Sequence, residues 1–240
     1  MVKTAARYDG LADWYDSFIR SEEVTPVALA ALDRMLGSGP GRCLDVGCGT
    51  GIAFPTLAAQ DWSVVGVDVS ADQLAVAHDR AQAAGARVVH ADATQLPFAD
   101  GSFEAVVSLL THTDFDDMPA VFRECARVLA PGGRFVYVGV HPCFDGPMIE
   151  RRADGPHLLH PGYRRAGWWP DATGPVRSRV GAHHVPLAQL IGAVLDAGLR
   201  LEQIEEPGKD DYPTLLALQA SRPDAAGLAP SEGRASPPRS

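Results

Sequence analysis

Between residues 41 and 137, short β-branched runs alternate with longer stretches of helical period, and this alternation is what most restricts how the chain can fold. Arg42–Val46 reads as a strand ending in a glycine-rich turn, with Gly51–Gln60 following as a helix. Ser63–Val69 is a second strand. Ser70, with Gln73 three residues on, carries the residues of a capping box and opens a helix that runs to Ala84 and stops at Gly85. Arg87–His90 and Phe103–Leu109 are a third and a fourth strand. Asp116 and Asp117 cap a helix whose Val121, Phe122, Cys125, Val128 and Leu129 fall at helical spacing. Pro131-Gly132-Gly133 ends that helix, and Arg134–Val140 is a fifth strand. Strands separated by helices in this rhythm pair in parallel, with helices on both faces of the sheet.

The rhythm breaks from residue 141 to residue 182, a stretch rich in Pro, Gly, Arg and aromatic residues without a clear period. So long an irregular connection in a compact domain reads as a lid or substrate segment. A helix over Pro186–Ala197, stopped by Gly198, is followed by the runs Leu199–Glu205 and Thr214–Ala220. Their connection is too short for a helical crossover, so these last two runs are expected to pair antiparallel. Residues 1–40 read as a helical cap, 1–220 as a single domain and 221–240, with four prolines, as a disordered tail.

With 46% hydrophobic and 21% charged residues, the 240-residue chain has the composition of an ordinary globular domain. No apolar run approaches the roughly 18–20 residues that span a bilayer, and the N-terminus lacks the apolar stretch of a secretory signal. Thirty acidic against 21 basic residues give a formal charge of −9, which disfavours a nucleic acid partner. Only Arg151, Arg152, Arg164, Arg165, Arg177 and Arg179 offer material for a local basic patch. Cys43, Cys48, Cys125 and Cys143 show no CxxC spacing and read as free thiols of a cytoplasmic protein, a monomer or a homodimer.

The chemistry concentrates in CLDVGCGTGIA at Cys43–Ala53, where an acid ends a strand and Gly47, Gly49 and Gly51 follow. Glycines let a ligand touch the main chain, and the helix N-terminus behind them favours a negative group. A dinucleotide site would show GxGxxG, whereas here the third glycine comes one place early. Asp45 at the strand tip would repel a pyrophosphate but attract an ammonium, so the turn suits a ligand bearing both a cation and a carboxylate. Asp68 ends the second strand seventeen residues after Gly51, placed to accept both hydroxyls of a ribose. Asp92-Ala93 ends the third strand on the same sheet edge, where an acid can accept from the exocyclic amine of adenine. An amino acid joined to a nucleoside in one ligand points to S-adenosyl-L-methionine.

From about Tyr8 to Ala220 the chain resembles the class I S-adenosylmethionine-dependent methyltransferases, in the small-molecule, UbiE-like subgroup. LDVGCGTG is similar to that family's first motif, VVGVDVS to its second, HADATQLPFADGSFEAVVS to the adenine and fourth-strand region, and ECARVLAPGGRFVYV to the motif that follows. The resemblance implies a Rossmann-like α/β fold, a doubly wound seven-stranded sheet, mostly parallel with the last strand antiparallel. It also implies that Gly47 and Gly49 contact the methionine part above Asp45, and that Asp68 holds the ribose. Val69 would then pack on adenine, Asp92 and Ala93 bind its amine, and Leu109 lie under the cofactor. Tyr8 and Tyr15 in YDGLADWYD match an N-terminal helix that closes over it.

Each of these residues also has a plainer reading. Asp45 and Asp68 are able to cap their turns, Val69 and Leu109 to be core, and Tyr8 and Tyr15 to be packing aromatics. His112 follows the fourth strand, where acceptors enter in this family, and reads either as a general base or as a structural residue. His141, after the fifth strand, is a second candidate base, and His184 matches a frequent family histidine. The remaining histidines complete no metal spacing, so no metal is expected. Trp168 and Trp169 read as a local mini-core or as a wall of the acceptor site. The expected activity is in-line methyl transfer to a small-molecule acceptor, with S-adenosyl-L-homocysteine as product. The alternatives are a non-methylating protein of the same fold that keeps the cofactor (an isomerase, a cyclase or a regulatory partner) and a nicotinamide oxidoreductase.

Overall fold

The computed structural model describes residues 6–150, 156–170, 174–208 and 211–224. Arg151, Arg152 and positions 225–240 of the expected tail lie outside the described residues. The nucleus is the expected alternation. Strands β1 (Arg42–Val46), β2 (Ser63–Asp68), β3 (Arg87–His90), β4 (Phe103–Leu109) and β5 (Leu129–Val140) pair in parallel in the order β5-β4-β1-β2-β3. After four short strands come β10 (Arg200–Glu205) and β11 (Leu215–Ser221). β11 runs antiparallel between β5 and β10, so β11 is the one reversed strand of seven. That is the doubly wound, mostly parallel sheet expected from the sequence.

Helices cover both faces. α2 (Val24–Leu36), α3 (Phe54–Ala59) and α4 (Ala71–Ala84) pack one side, where Leu32, Phe54 and Ala77 meet Val64, Val107 and Val136. α5 (Met118–Val128) and α7 (Leu187–Asp196) pack the other, where Phe122, Cys125 and Leu190 meet Leu44, Val106 and Tyr137. The central strands are buried on both faces and so read as continuous apolar runs, as parallel strands do. The capping box at Ser70 forms on one side, its hydroxyl accepting from the Gln73 amide at 3.3 Å, and Gly85 closes α4 in the left-handed conformation.

Three expectations are corrected. α3 starts at Phe54 rather than Gly51, because residues 51–53 remain in the turn. α5 ends at Val128, and Pro131-Gly132-Gly133 lies within the fifth strand instead of separating it from the helix. Leu129 already pairs with Phe103; residues 130–133 then loop out before pairing resumes at Ala105↔Arg134. The loop is held by Gly132 N–H donating to the Arg222 carbonyl at 2.8 Å. Finally, the described residues between 141 and 182 are more regular than their sequence. They contribute a two-residue hairpin of β6 (Ile149–Glu150) and β7 (Leu158–Leu159), strand β8 (Gly167–Trp169) and short helix α6 (Arg177–Val180). β8 pairs antiparallel with β9 (Ala182–His184). Strands of two or three residues leave too little period to read.

Candidate active site

The turn after β1 is built by backbone conformation. Gly47 and Gly49 have φ of 73° and 53°, in the left-handed region that favours glycine. The amides of Gly47 and Cys48 both donate to the Val67 carbonyl, at 2.8 and 3.0 Å, folding the turn over the end of β2. Asp68 secures it from the side: one carboxylate oxygen accepts from the Gly49 amide at 2.9 Å and the other from the Ser70 amide at 2.8 Å. Burial raises the Asp68 pKa, while these two amides pull it down.

Asp45 lies beneath the turn and is almost fully buried. Its Oδ1 has no hydrogen-bond partner among the described residues. Burial, and then the charge of Asp68, push its carboxyl up to about 7. A buried carboxylate oxygen without a partner is costly, and an ammonium group is the complement that removes the cost. The site thus fits the aminoacyl end of S-adenosylmethionine and its ribose, with the glycine turn and two acids on one sheet edge. On the same edge, Val69 is 48% exposed, a large apolar side chain left open beside Asp68. Asp92 is exposed and already accepts at one oxygen from the amide and hydroxyl of Thr94, each at 2.8 Å. Ala93 is half-buried against the core, and Leu109 is buried at the end of β4.

The N-terminal segment lies over this corner. Ser70 donates its hydroxyl to Asp9 at 2.7 Å, and the Gly10 amide donates to Asp72 at 2.7 Å. Tyr8 and Tyr15 meet edge to face at 4.9 Å; Tyr15 sits on helix α1 (Ala12–Ser21). Burial raises both hydroxyl pKa values, so both stay protonated. Sequence reasoning missed the anchor of this helix. Arg80 of α4 donates to Asp16 at 2.6 and 3.0 Å and to the Thr50 carbonyl at 2.7 Å, joining α1, α4 and the glycine turn. Nothing in the local sequence around Arg80 pointed to it, since its partners are 30 and 64 residues away.

Beyond β4 opens a cavity of about 720 Å³. Its walls are largely apolar, with Phe18, Ile19, Leu110 and Val176 among them, and His112, His183 and His184 supply polar edges. Neither the glycine turn nor Asp45 lines it, so it is a chamber adjacent to the carboxylate-lined corner, with Tyr15 among its walls. Leu110, at φ 59°, is in the left-handed region, an uncommon place for a branched side chain, and its amide donates to the Val138 carbonyl at 2.7 Å. That turn delivers His112 into the chamber wall, where its Nδ1 meets the Tyr137 hydroxyl at 2.6 Å. Burial, with Arg177 and His184 nearby, lowers the His112 pKa to about 3, so the ring is neutral.

His141 is placed differently. Its Nδ1 accepts from the Cys143 amide at 3.1 Å and its Nε2 lies 2.9 Å from Glu206, so both ring nitrogens are engaged by the scaffold. It is not among the chamber residues, and no nitrogen is left to meet an acceptor. Trp168 is not in that wall either; it packs where Gly181 has no side chain and lies under Arg7 at 4.2 Å. Arg177, counted among candidates for a basic patch, is held at 2.8 Å by Asp114, and Arg179 stacks on Trp14 at 4.3 Å. All four cysteines are free thiols. Among the described residues no group of three or more His, Cys, Asp or Glu is placed to hold a metal ion. None of their helices is long and apolar enough to cross a membrane.

The comparisons with known proteins agree with this geometry. The family pattern described as "Methyltransferase domain" matches residues 44–137, from β1 into β5. Demethylmenaquinone methyltransferase of Thermus thermophilus is 40% identical over 116 residues, 47% of this chain and 53% of that protein. O-methyltransferase rstn1 of Aspergillus nomiae is 34% identical over 164 residues, 58% of this chain and 73% of that protein. The chain spans about half the length of the first curated relatives it matches. An S-adenosylmethionine-dependent methyltransferase from Mesorhizobium loti superposes with a TM-score of 0.69 at 25% identity, covering 85% of this chain and all of that one. With the acid-flanked glycine turn, the reversed seventh strand and these relatives in agreement, the chain belongs to the class I S-adenosylmethionine-dependent methyltransferases.

Proposed function

We propose that this protein transfers the methyl group of S-adenosylmethionine to a small-molecule acceptor held in the chamber beyond β4. The observation that carries the reading is the unpartnered buried Asp45 oxygen beside Asp68 and the glycine turn, next to a largely apolar chamber of about 720 Å³. Asp45 would take the ammonium, Gly47 and Gly49 the aminoacyl backbone, and Asp68 the ribose hydroxyls. Val69 would cover one face of adenine, Asp92 and Ala93 meet its amine, Leu109 floor the site, and Tyr8 and Tyr15 close it. The bound sulfonium supplies a methyl carbon that is already electrophilic.

What remains for the chain is positioning. The acceptor atom must lie about 3–3.5 Å from the methyl carbon, in line with the bond that breaks. The chamber residues hold it there, while the N-terminal helix and the segment from 141 to 182 exclude water. A small acceptor is favoured over nucleic acid by the chamber size and the charge of −9. The free thiols favour a cytoplasmic setting. Calorimetric titration with S-adenosylhomocysteine, beside NAD as a control, tests the cofactor assignment. Binding of the first without the second is expected; binding of NAD alone overturns the reading.

A further inference from the structure

The chamber holds two neutral imidazoles whose hydrogen-bond partners set opposite polarities. His184 is the simpler case. Its Nε2 lies 2.7 Å from the Tyr163 carbonyl, which only accepts, so Nε2 carries the hydrogen and Nδ1 carries the lone pair. Nδ1 has no partner among the described residues and faces Gly146, in the chamber wall, with 3.7 Å to the position a Cβ there would take. His112 is the reverse. The Tyr137 hydroxyl is fully buried and His112 Nδ1 is its partner at 2.6 Å. A buried hydroxyl hydrogen without an acceptor is costly, so Tyr137 donates to Nδ1 and the ring keeps its hydrogen on Nε2. Gly139 makes room for this pair: a Cβ there would sit 1.9 Å from the Tyr137 oxygen and 2.9 Å from His112 Nδ1.

The geometry points to His112 as a hydrogen-bond donor through Nε2–H and to His184 as the general base through Nδ1, a pair that selects a neutral hydroxyl as the methyl acceptor. This rests on the methyl-transfer reading above. It also moves the base from His112, the first candidate in the sequence, to His184. A hydroxyl satisfies both groups at once, giving its hydrogen to His184 Nδ1 and one lone pair to His112 Nε2–H. Its second lone pair stays free to attack. A neutral amine has a single lone pair, which His112 would occupy. An already ionised oxygen would face the His184 lone pair with nothing to donate. In the transfer, the oxygen–hydrogen bond breaks and its proton passes to His184 Nδ1. The oxygen–methyl bond forms as the carbon–sulfur pair stays on sulfur, and the imidazolium then releases its proton to water.

The groups around the pair keep both rings uncharged at rest. Arg177 of α6 and His184 both oppose protonation of His112. Asp114 is committed to Arg177, and Glu22, Glu150 and Asp145, the neighbour of Gly146, also line the chamber. Burial lowers the His184 pKa, against the Tyr163 carbonyl, so its lone pair is available near neutral pH. Tyr137 touches no acceptor and is a positioning residue that sets the His112 tautomer.

Ring-nitrogen NMR of the full chain at pH 7.5 tests this without knowing the acceptor. Both rings should be neutral with the hydrogen on Nε2. Tyr137→Phe should remove the hydrogen-bond shift of His112 Nδ1 and leave His184 unmoved. A hydrogen on Nδ1 of either ring, or a charged ring, overturns the assignment. With S-adenosylhomocysteine present, phenol and aniline then serve as isosteric probes. Phenol should shift both ring signals and bind at least about tenfold tighter than aniline, a preference that His184→Gln abolishes. Equal or stronger aniline binding, or no response to phenol, overturns the acceptor class. The titration with S-adenosylhomocysteine on the same sample separates the two readings, because its failure removes methyl transfer while the ring states stand on their own.

Discussion

Asp45 and Asp68 lie one strand apart, yet burial acts on them with different partners. Asp68 has two backbone amides to accept from, whereas Asp45 has an unpartnered oxygen and a carboxyl pushed up to about 7. An acid held above its unfolded value keeps its full share of stability at low pH and loses it as pH rises through the folded value. The ligand-free protein should therefore lose stability between about pH 4 and pH 7, by an amount on the order of a few kcal/mol, in denaturant titrations across that range. Asp45→Asn should flatten this dependence. S-adenosylhomocysteine affinity should move the opposite way, falling up to about tenfold per unit below pH 7, because the ammonium needs the ionised carboxylate. Asp68→Ala should weaken the same ligand by about 2–3 kcal/mol in calorimetry, since it removes the proposed ribose acceptor and frees the Gly49 amide. Unchanged affinity in that variant would remove Asp68 from the site.

At the scale of elements, the glycine turn depends on a side chain its own motif does not include. Phe54, the first residue of α3, fills space left by Gly51 and by Gly66 in the middle of β2. A Cβ at Gly66 would lie 2.5 Å from the Phe54 ring and 2.8 Å from Cys48 Sγ. Gly66→Ala should cost about 1–3 kcal/mol, read as a lowered thermal midpoint, by displacing Phe54. Gly47→Ala combines positive φ with a Cβ 2.6 Å from Thr111, so it should lose cofactor binding as well as stability. The strand–turn–helix pattern was legible because its signals are local: a capping serine, a left-handed glycine, runs of valine. The roles of Gly66, Gly139 and Arg80 were not, because each is defined by a partner distant in sequence or by room for a contact that sequence spacing does not encode.

Across the whole molecule, the N-terminal segment and the 141–182 segment are each tied to the turn after β4 by an ion pair, and the two pairs are of unequal standing. Arg177 and Asp114 are both largely sheltered, and Tyr8 donates to the same carboxylate at 3.3 Å. Arg7 pairs with Asp116, whose side chain is 78% exposed. Exposed pairs contribute about 0–1 kcal/mol, whereas stranding a sheltered charge costs more. Asp114→Ala should accordingly raise hydrogen exchange in both segments and speed S-adenosylhomocysteine release, while Asp116→Ala should leave both nearly unchanged. Equal effects would show that the cover does not depend on the sheltered pair.

The sequence alone determined the parallel sheet, the reversed final strand and the acids around the glycine turn. Those follow from periodicity, short connections and residue types that sit at strand ends, all of which act over a few neighbours along the chain. Only the tertiary structure decided the polarity of the chamber beyond β4. Which nitrogen of His112 or His184 carries hydrogen depends on Tyr137 and on the Tyr163 carbonyl, 25 and 21 residues away. A buried imidazole takes the tautomer that its fixed partner requires, so its chemistry is settled by packing rather than by its place in the sequence.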